Sequence, residues 1–221
     1  MTADSVPISS GFNRVAAVAG FVFVVCVVAS IIAVGSQPTA GDAASLVDYF
    51  STNTGSHGLG LLIISFGIIP AGLFLAGLVG LPRSSDRRHG ENWSMAAAAF
   101  WITAVALLAV GVMIDGGLFL ARDAAIAPGA LVALWDISVA STGLMTLAFA
   151  GAAASVSIPV LMHGLRPAWY GWLGLLVGLF GVLGLGGVVS SSDLAVGLGV
   201  PMAPLFAIWV VASSVFMYRD A

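Results

Sequence analysis

VAAVAGFVFVVCVVASIIAV, residues Val15 to Val34, holds no Asp, Glu, Lys or Arg, and the charge-free run continues to Gly41. A bilayer hydrocarbon core about 30 Å thick is crossed by a helix of roughly 20 apolar residues. Lipid offers no partner to an unpaired backbone group, so a stretch of this kind has to be helical to span. The pattern then recurs. Gly58–Pro82, Asn92–Ile114, Ile137–Met162, Pro167–Ser192 and Leu194–Tyr218 are likewise free of those four residue types. The sequence therefore predicts an all-α, polytopic membrane protein with six transmembrane helices in one bundle, a single domain over residues 1–221. The expected spans are Val15–Val34, Leu59–Leu81, Met95–Asp115, Gly129–Ala153, Trp169–Val189 and Val200–Tyr218. Arg14 ahead of an apolar run resembles the start of a secretory signal. The run is longer than the usual h-region of about 7–15 residues, so it reads as a retained first helix.

Composition agrees. The chain is 60% hydrophobic and 8% charged, with a mean hydropathy of +1.10, whereas soluble domains carry about 25% charged residues. A net charge of −3, with the basic residues scattered, gives no footprint for nucleic acid. Cys26 is the only cysteine; it cannot form an internal disulfide, and it reads as a small apolar residue within the first span.

The arginines set an orientation. Arg83, Arg87, Arg88 and Arg166 fall in the second and fourth connections, Arg14 and Arg219 in the tails, and Arg122 alone in an odd connection. Basic residues in short loops stay cytoplasmic. Both termini are thus expected inside a bacterial inner (plasma) membrane, with Gln37–Ser56 outside. The outer side then gathers Asp42, Asp48, Asp115, Asp123, Asp136 and Asp193. Within the first outer connection Ala43, Leu46, Val47 and Phe50 repeat at helical spacing behind Asp42 as N-cap. This predicts a short interfacial helix near 43–50, with Tyr49 at headgroup depth. The cytoplasmic loop Pro82–Glu91 holds three arginines, fewer than the cluster of about four to eight that marks recognition of anionic lipid.

Inside the membrane the strongest pattern is glycine. Gly171, Gly174, Gly178 and Gly181 share one face of the fifth span, and small residues let helix backbones approach closely. They are expected to pack against a neighbour in the bundle, for which Ala148, Gly151, Ala152 and Ser155 of the fourth span offer a small-residue stripe. A homodimer seam is the lesser alternative. Pro70 should kink the second span, and an interrupted second helix opposite a glycine-rich fifth fits the plan of transporters built from inverted repeats.

Asp136 is the ionisable residue of greatest interest, expected about 10 Å below the outer boundary by helical rise. A carboxylate at that depth needs a partner, a proton or water. His57, Asp115 and Arg122 are the neighbours with which it could form a polar site, and Ser138 and Ser141 lie close in sequence. It reads either as a proton or cation site or as an interfacial acid, paired with Arg122 or solvated. The histidines, His57, His89 and His163, lie at or beyond the span ends, so no pair is placed to hold a bilayer haem. Zinc-protease, P-loop and dinucleotide-loop motifs are absent from the sequence. The chain is accordingly read as not an enzyme, with no cofactor and no metal site.

Leu165-Arg-Pro-Ala-Trp-Tyr-Gly-Trp-Leu-Gly174 and Pro204-Leu-Phe-Ala-Ile-Trp-Val-Val-Ala212 resemble a family of small bacterial six-helix integral membrane proteins of unknown function. The opening Arg14-Val-Ala-Ala-Val-Ala-Gly20 is similar to that family's start. The resemblance implies the six-helix architecture and carries no activity. The expected role is an accessory, interaction or membrane-homeostasis protein. Its partners would be the lipid bilayer and another membrane protein or a second copy of the chain. The alternative is a small transporter or channel using the outer acidic cluster around Asp136.

Overall fold

The computed structural model describes residues 10–35, 37–38, 43–80, 89–120, 127–185 and 200–221. Seven helices make up the described chain: α1 (Ser10–Val34), α2 (Ala43–Thr52), α3 (Thr54–Leu78), α4 (His89–Leu120), α5 (Pro128–His163), α6 (Ala168–Gly184) and α7 (Met202–Arg219). No strand occurs among the described residues. Five helices are long and apolar enough to cross a membrane, namely Gly11–Val34, Thr54–Leu78, Asn92–Leu120, Gly129–His163 and Met202–Arg219. α6 is apolar but covers 17 residues. The chain has the character of a multi-pass membrane protein.

Two of the connections close through glycines that only a left-handed backbone satisfies. Gly35, at φ 67°, ends α1 and returns its N–H to the Ile31 carbonyl at 3.0 Å. Gly164, at φ 63°, caps α5, and Pro167 follows at the N-cap of α6, where a proline without an N–H costs nothing. The tight α5–α6 corner makes these two helices antiparallel neighbours.

Small residues set the helix pairings, as they must where lipid removes the hydrophobic drive for association. α1 packs on α3 with Gly67 against Cys26, Gly77 against Ala16, and Ser30 donating to the Gly60 carbonyl at 3.0 Å. α4 packs on α5 with Gly151 beneath the Phe100 ring and Ser141 donating to the Leu107 carbonyl at 2.9 Å. α5 then packs on α6 along all four glycines. A Cβ on Gly171 would meet Leu161, one on Gly174 would meet Ser157 and Trp209, one on Gly178 would meet Ala154, and one on Gly181 would meet Ala150. The surface of α5 that receives this stripe is therefore Ala150, Ala154, Ser157 and Leu161. None of the four positions expected from sequence, Ala148, Gly151, Ala152 and Ser155, is among the residues nearest those glycines, and Gly151 turns to α4, where Phe100 occupies the space beside it.

The pairs close around an aromatic centre. Trp101 of α4 has no exposed surface and donates Nε1–H to the Ala71 carbonyl of α3 at 3.1 Å. Phe23 (α1), Phe74 (α3), Phe149 (α5) and Phe206 (α7) stand around it with ring centroids 5.0–6.0 Å away. Phe206 continues the stack to Trp209, and Trp209 to Tyr170 of α6. Each buried aromatic removes a large area from contact with solvent or lipid, and each edge-to-face or offset contact adds about 0.5–1.5 kcal/mol. Every helix but α2 thus contributes to one continuous core.

α4 and α5 are longer than the sequence predicts. At 1.5 Å per residue, the 36 residues of α5 run about 54 Å and the 32 of α4 about 48 Å. Both exceed the thickness of a hydrocarbon core. Their paired ends, with α2 laid against them, build a second, smaller core of Leu46, Tyr49, Phe50, Leu118, Leu131 and Trp135.

Candidate functional site

That second core holds the richest chemistry of the described chain. α2 places Leu46, Tyr49 and Phe50 on one face through spacings of three and one, and all three are buried. Val47 is 58% exposed. The apolar stripe expected from sequence, with Val47 inward and Tyr49 at headgroup depth, is thus rotated by part of a turn. Trp135 and the aromatic partner Phe50 explain the rotation: their rings meet edge-on at 5.9 Å, and Tyr49 fills the space beside them at 6.3 Å from Trp135. Docking two large rings on the bundle outweighs burying one valine. The expected N-cap Asp42 lies outside the described residues.

Polar groups line the underside of this cap. Tyr49 donates its phenolic hydrogen to the carbonyl of Val34, the last residue of α1, at 3.2 Å. His57 Nδ1 lies 3.1 Å from the phenolic oxygen of Tyr49. Trp135 donates Nε1–H to the Pro38 carbonyl at 3.2 Å, and Ser138 donates to the Asp115 carboxylate at 2.6 Å. Burial pushes the Tyr49 phenol above its ordinary range; the Asp115 carboxylate adds to that rise, and a hydrogen bond from Gln37 opposes it. His57 is fully buried, and its Nε2 has no hydrogen-bond partner among the described residues.

The residues singled out by sequence separate here. His57 and Asp115 both border Tyr49 and belong to the cap. Asp136 does not: it lies on an exposed face of α5 while its neighbours Trp135 and Ser138 turn inward. Arg122 lies outside the described residues. Among the described residues no group of three or more His, Cys, Asp or Glu side chains is arranged to hold a metal ion.

Sequence reasoning named Tyr49 as an interfacial side chain and did not find its hydrogen bonds to Val34 and His57. The phenol reaches its partners from eight and fifteen residues away, through a turn and a helix end, and no periodic pattern carries such contacts.

At the other end of the bundle Arg166 pairs with Asp220 and stands 5.2 Å from the Phe216 ring centroid, tying the α5–α6 corner to the end of α7. Arg14 is exposed and stands 5.8 Å from the Tyr218 ring centroid. Comparison with family models, with curated proteins and with solved structures returned no match.

Proposed function

We propose that this chain is an inner-membrane protein of six spans with both termini cytoplasmic and no catalytic machinery. Its work is done by contact with other membrane components, as an accessory, interaction or membrane-homeostasis protein. α6, with the apolar sequence that follows it to Val189, supplies the sixth span. The arginine distribution supports the orientation, and the six charge-free stretches of the sequence support the count.

One observation carries the functional reading: the axis of the bundle is filled by the ring stack Phe23, Phe74, Trp101, Phe149, Phe206, Trp209 and Tyr170. A conduit needs polar groups converging near the midplane, usually from interrupted helices. Here that depth is occupied by aromatic side chains, and the helices around them close through glycine and alanine. The rival reading, a transporter organised on Asp136, loses support because that carboxylate points away from the bundle.

Thiol scanning tests the reading. In a Cys26→Ala background, Ala104→Cys and Ala152→Cys report on buried positions near the axis, both without exposed surface in the native fold. Neither should react with a water-soluble maleimide in intact membranes. Reaction at either position from one side would reveal an aqueous path and overturn the proposal. Capture of a specific protein partner by a tagged copy from native membranes is the positive expectation.

A further inference from the structure

α1 and α3 run antiparallel, with Gly77 facing Ala16 near one end of the pair and Gly67 facing Cys26 further along. Between them, on the outside of the bundle, lies an apolar groove of about 420 Å³. Ala19 and Pro70 form its floor, and Val18, Val22, Phe66 and Leu73 stand exposed along its rims. Two features of the sequence shape it. Ala19 places only a methyl group between the helices. Pro70, inside α3, has no N–H to return to the Phe66 carbonyl, and its ring crowds the preceding turn.

The length of the groove selects its occupant. It runs from Val15 to Cys26, eleven residues along α1, or about 17 Å at 1.5 Å per residue. Beyond Cys26 the pair closes: Ser30 donates to the Gly60 carbonyl at 3.0 Å, and a Cβ on Gly60 would meet Val34. A further membrane helix laid between α1 and α3 would need a groove across the whole hydrocarbon core of about 30 Å. This one covers half of that, the depth of a single leaflet and of the acyl chain within it. Its open end carries the charge. Arg14 precedes Val15 and stands one turn before Val18 on the same side of α1. Arg14 is exposed, and its guanidinium lies 5.8 Å from the ring centroid of Tyr218, also exposed, on α7. Arginine and tyrosine at the end of an apolar helix are the side chains that meet the headgroup layer.

We infer that the groove between α1 and α3 binds one anionic phospholipid, with an acyl chain along Ala19 and Pro70 and the phosphate on the Arg14 guanidinium. A guanidinium offers paired N–H donors that match phosphate oxygens, and basic residues at the mouth of a cleft between membrane helices hold anionic headgroups. Asp220, the acid at this end of α7, is paired with Arg166 and leaves Arg14 to the lipid. The inference deepens the proposed function by naming one of the membrane components the chain contacts, and it rests on that reading for the chain spanning the bilayer. The two fail separately, because thiol scanning of Ala104 and Ala152 reads the axis of the bundle and the groove lies on its outside.

Retention and preference come from different parts of the site. The groove accepts the chain of any phospholipid and sets how long it stays. Arg14 distinguishes a net anionic headgroup from a zwitterionic one, whose own cation offsets the phosphate. One arginine near anionic lipid gives a preference of about fivefold.

Native mass spectrometry of the full-length protein, released from micelles holding equal amounts of phosphatidylglycerol and phosphatidylcholine, tests the site whatever the topology. The native protein should retain one phosphatidylglycerol about fivefold more often than one phosphatidylcholine. Arg14→Gln should remove that preference. Val22→Trp, on an exposed rim, should fill the groove and lower the retention of both lipids, and Leu73→Trp does the same from α3 if the first variant folds poorly. Ile32→Trp, exposed beyond the closed end, should change neither. Equal retention of the two lipids by the native protein overturns the inference, as does a preference that survives Arg14→Gln. Retention unchanged in both rim variants, or lowered as much by Ile32→Trp, would mean that lipid is held elsewhere. A dimer lost on Val22→Trp would give the groove to a second copy of the chain and overturn it too.

Discussion

The seam between α5 and α6 and the cap beneath α2 are both buried contacts, yet opposite materials hold them. At the seam, four glycines at spacings of three, four and three leave no side chain on one helix, and the facing surface of α5 fills the space. At the cap, Tyr49, Phe50, Trp135 and His57 interlock as rings, and each polar atom but His57 Nε2 is satisfied by a hydrogen bond across elements. The seam depends on what is missing and cannot accept an added atom. The cap depends on what is present and weakens by losing one. Substitutions should therefore act in opposite ways in the two regions.

The largest effect is expected at Gly174. An added Cβ would meet the Ser157 hydroxyl and, at 2.8 Å, the Trp209 indole nitrogen, and Trp209 is itself wedged between Tyr170 and Phe206. Gly174→Leu should exceed the usual overpacking cost and destabilise by about 4 kcal/mol or more. Thermal unfolding in detergent, together with the yield of monodisperse protein, measures it. Gly178→Leu should be milder, because the nearest atom to its added Cβ is Ala154 Cβ at 3.3 Å. Equal losses at the two positions would mean that the seam resists side chains as a whole and not at a particular contact.

Next comes Tyr49→Phe. It removes the hydrogen bonds to Val34 and His57 while keeping the ring, so the loss should be about 1–3 kcal/mol, as for a buried group left unsatisfied. The loss should appear as faster exchange confined to α2, with the midpoint of global unfolding little moved. A collapse of global stability would merge the cap with the main core and erase the contrast drawn here.

Ser157→Ala should act in the opposite direction. The Ser157 hydroxyl is fully buried at the seam and has no hydrogen-bond partner among the described residues. Deleting it relieves an unsatisfied polar group and should stabilise by about 1 kcal/mol. It should also soften the penalty of a Gly174→Ala change, a coupling that a double-mutant cycle detects.

The contrast also marks what was legible in the sequence. The charge-free stretches announced the long helices because desolvation of a charge is the largest cost in lipid. The glycine stripe announced a packing face because periodicity survives in one dimension. Its partner surface was harder to read: alanine recurs throughout α5, and Phe100 on another helix decides which small residues face which way. The cap was nearly illegible. Its rotation depends on Trp135, ninety-seven residues from the Pro38 carbonyl to which it donates. The lengths of α4 and α5 were underestimated because apolar runs mark the hydrocarbon thickness and helices need not stop at its edge.

The smallest expected effect concerns Asp136. Read from sequence, Asp136 is the acid of greatest interest and Asp115 only one of its possible neighbours. The structure makes them different, since Asp115 is half-buried and accepts from Ser138 at 2.6 Å, whereas Asp136 is exposed beside Ile137 and Leu134 on the outer surface of α5. The exposed Asp136 side chain has little packing to lose, so Asp136→Asn should change stability by no more than about 0.5 kcal/mol. Asp115→Ala, which strands the Ser138 hydroxyl under the cap, should cost about 1–3 kcal/mol. The pair is read in one experiment, by unfolding midpoints of the two variants in the same detergent. A larger loss at Asp136 than at Asp115 would mean that the outer face of α5 is engaged more tightly than the underside of the cap, and the contrast between the two acids would fail.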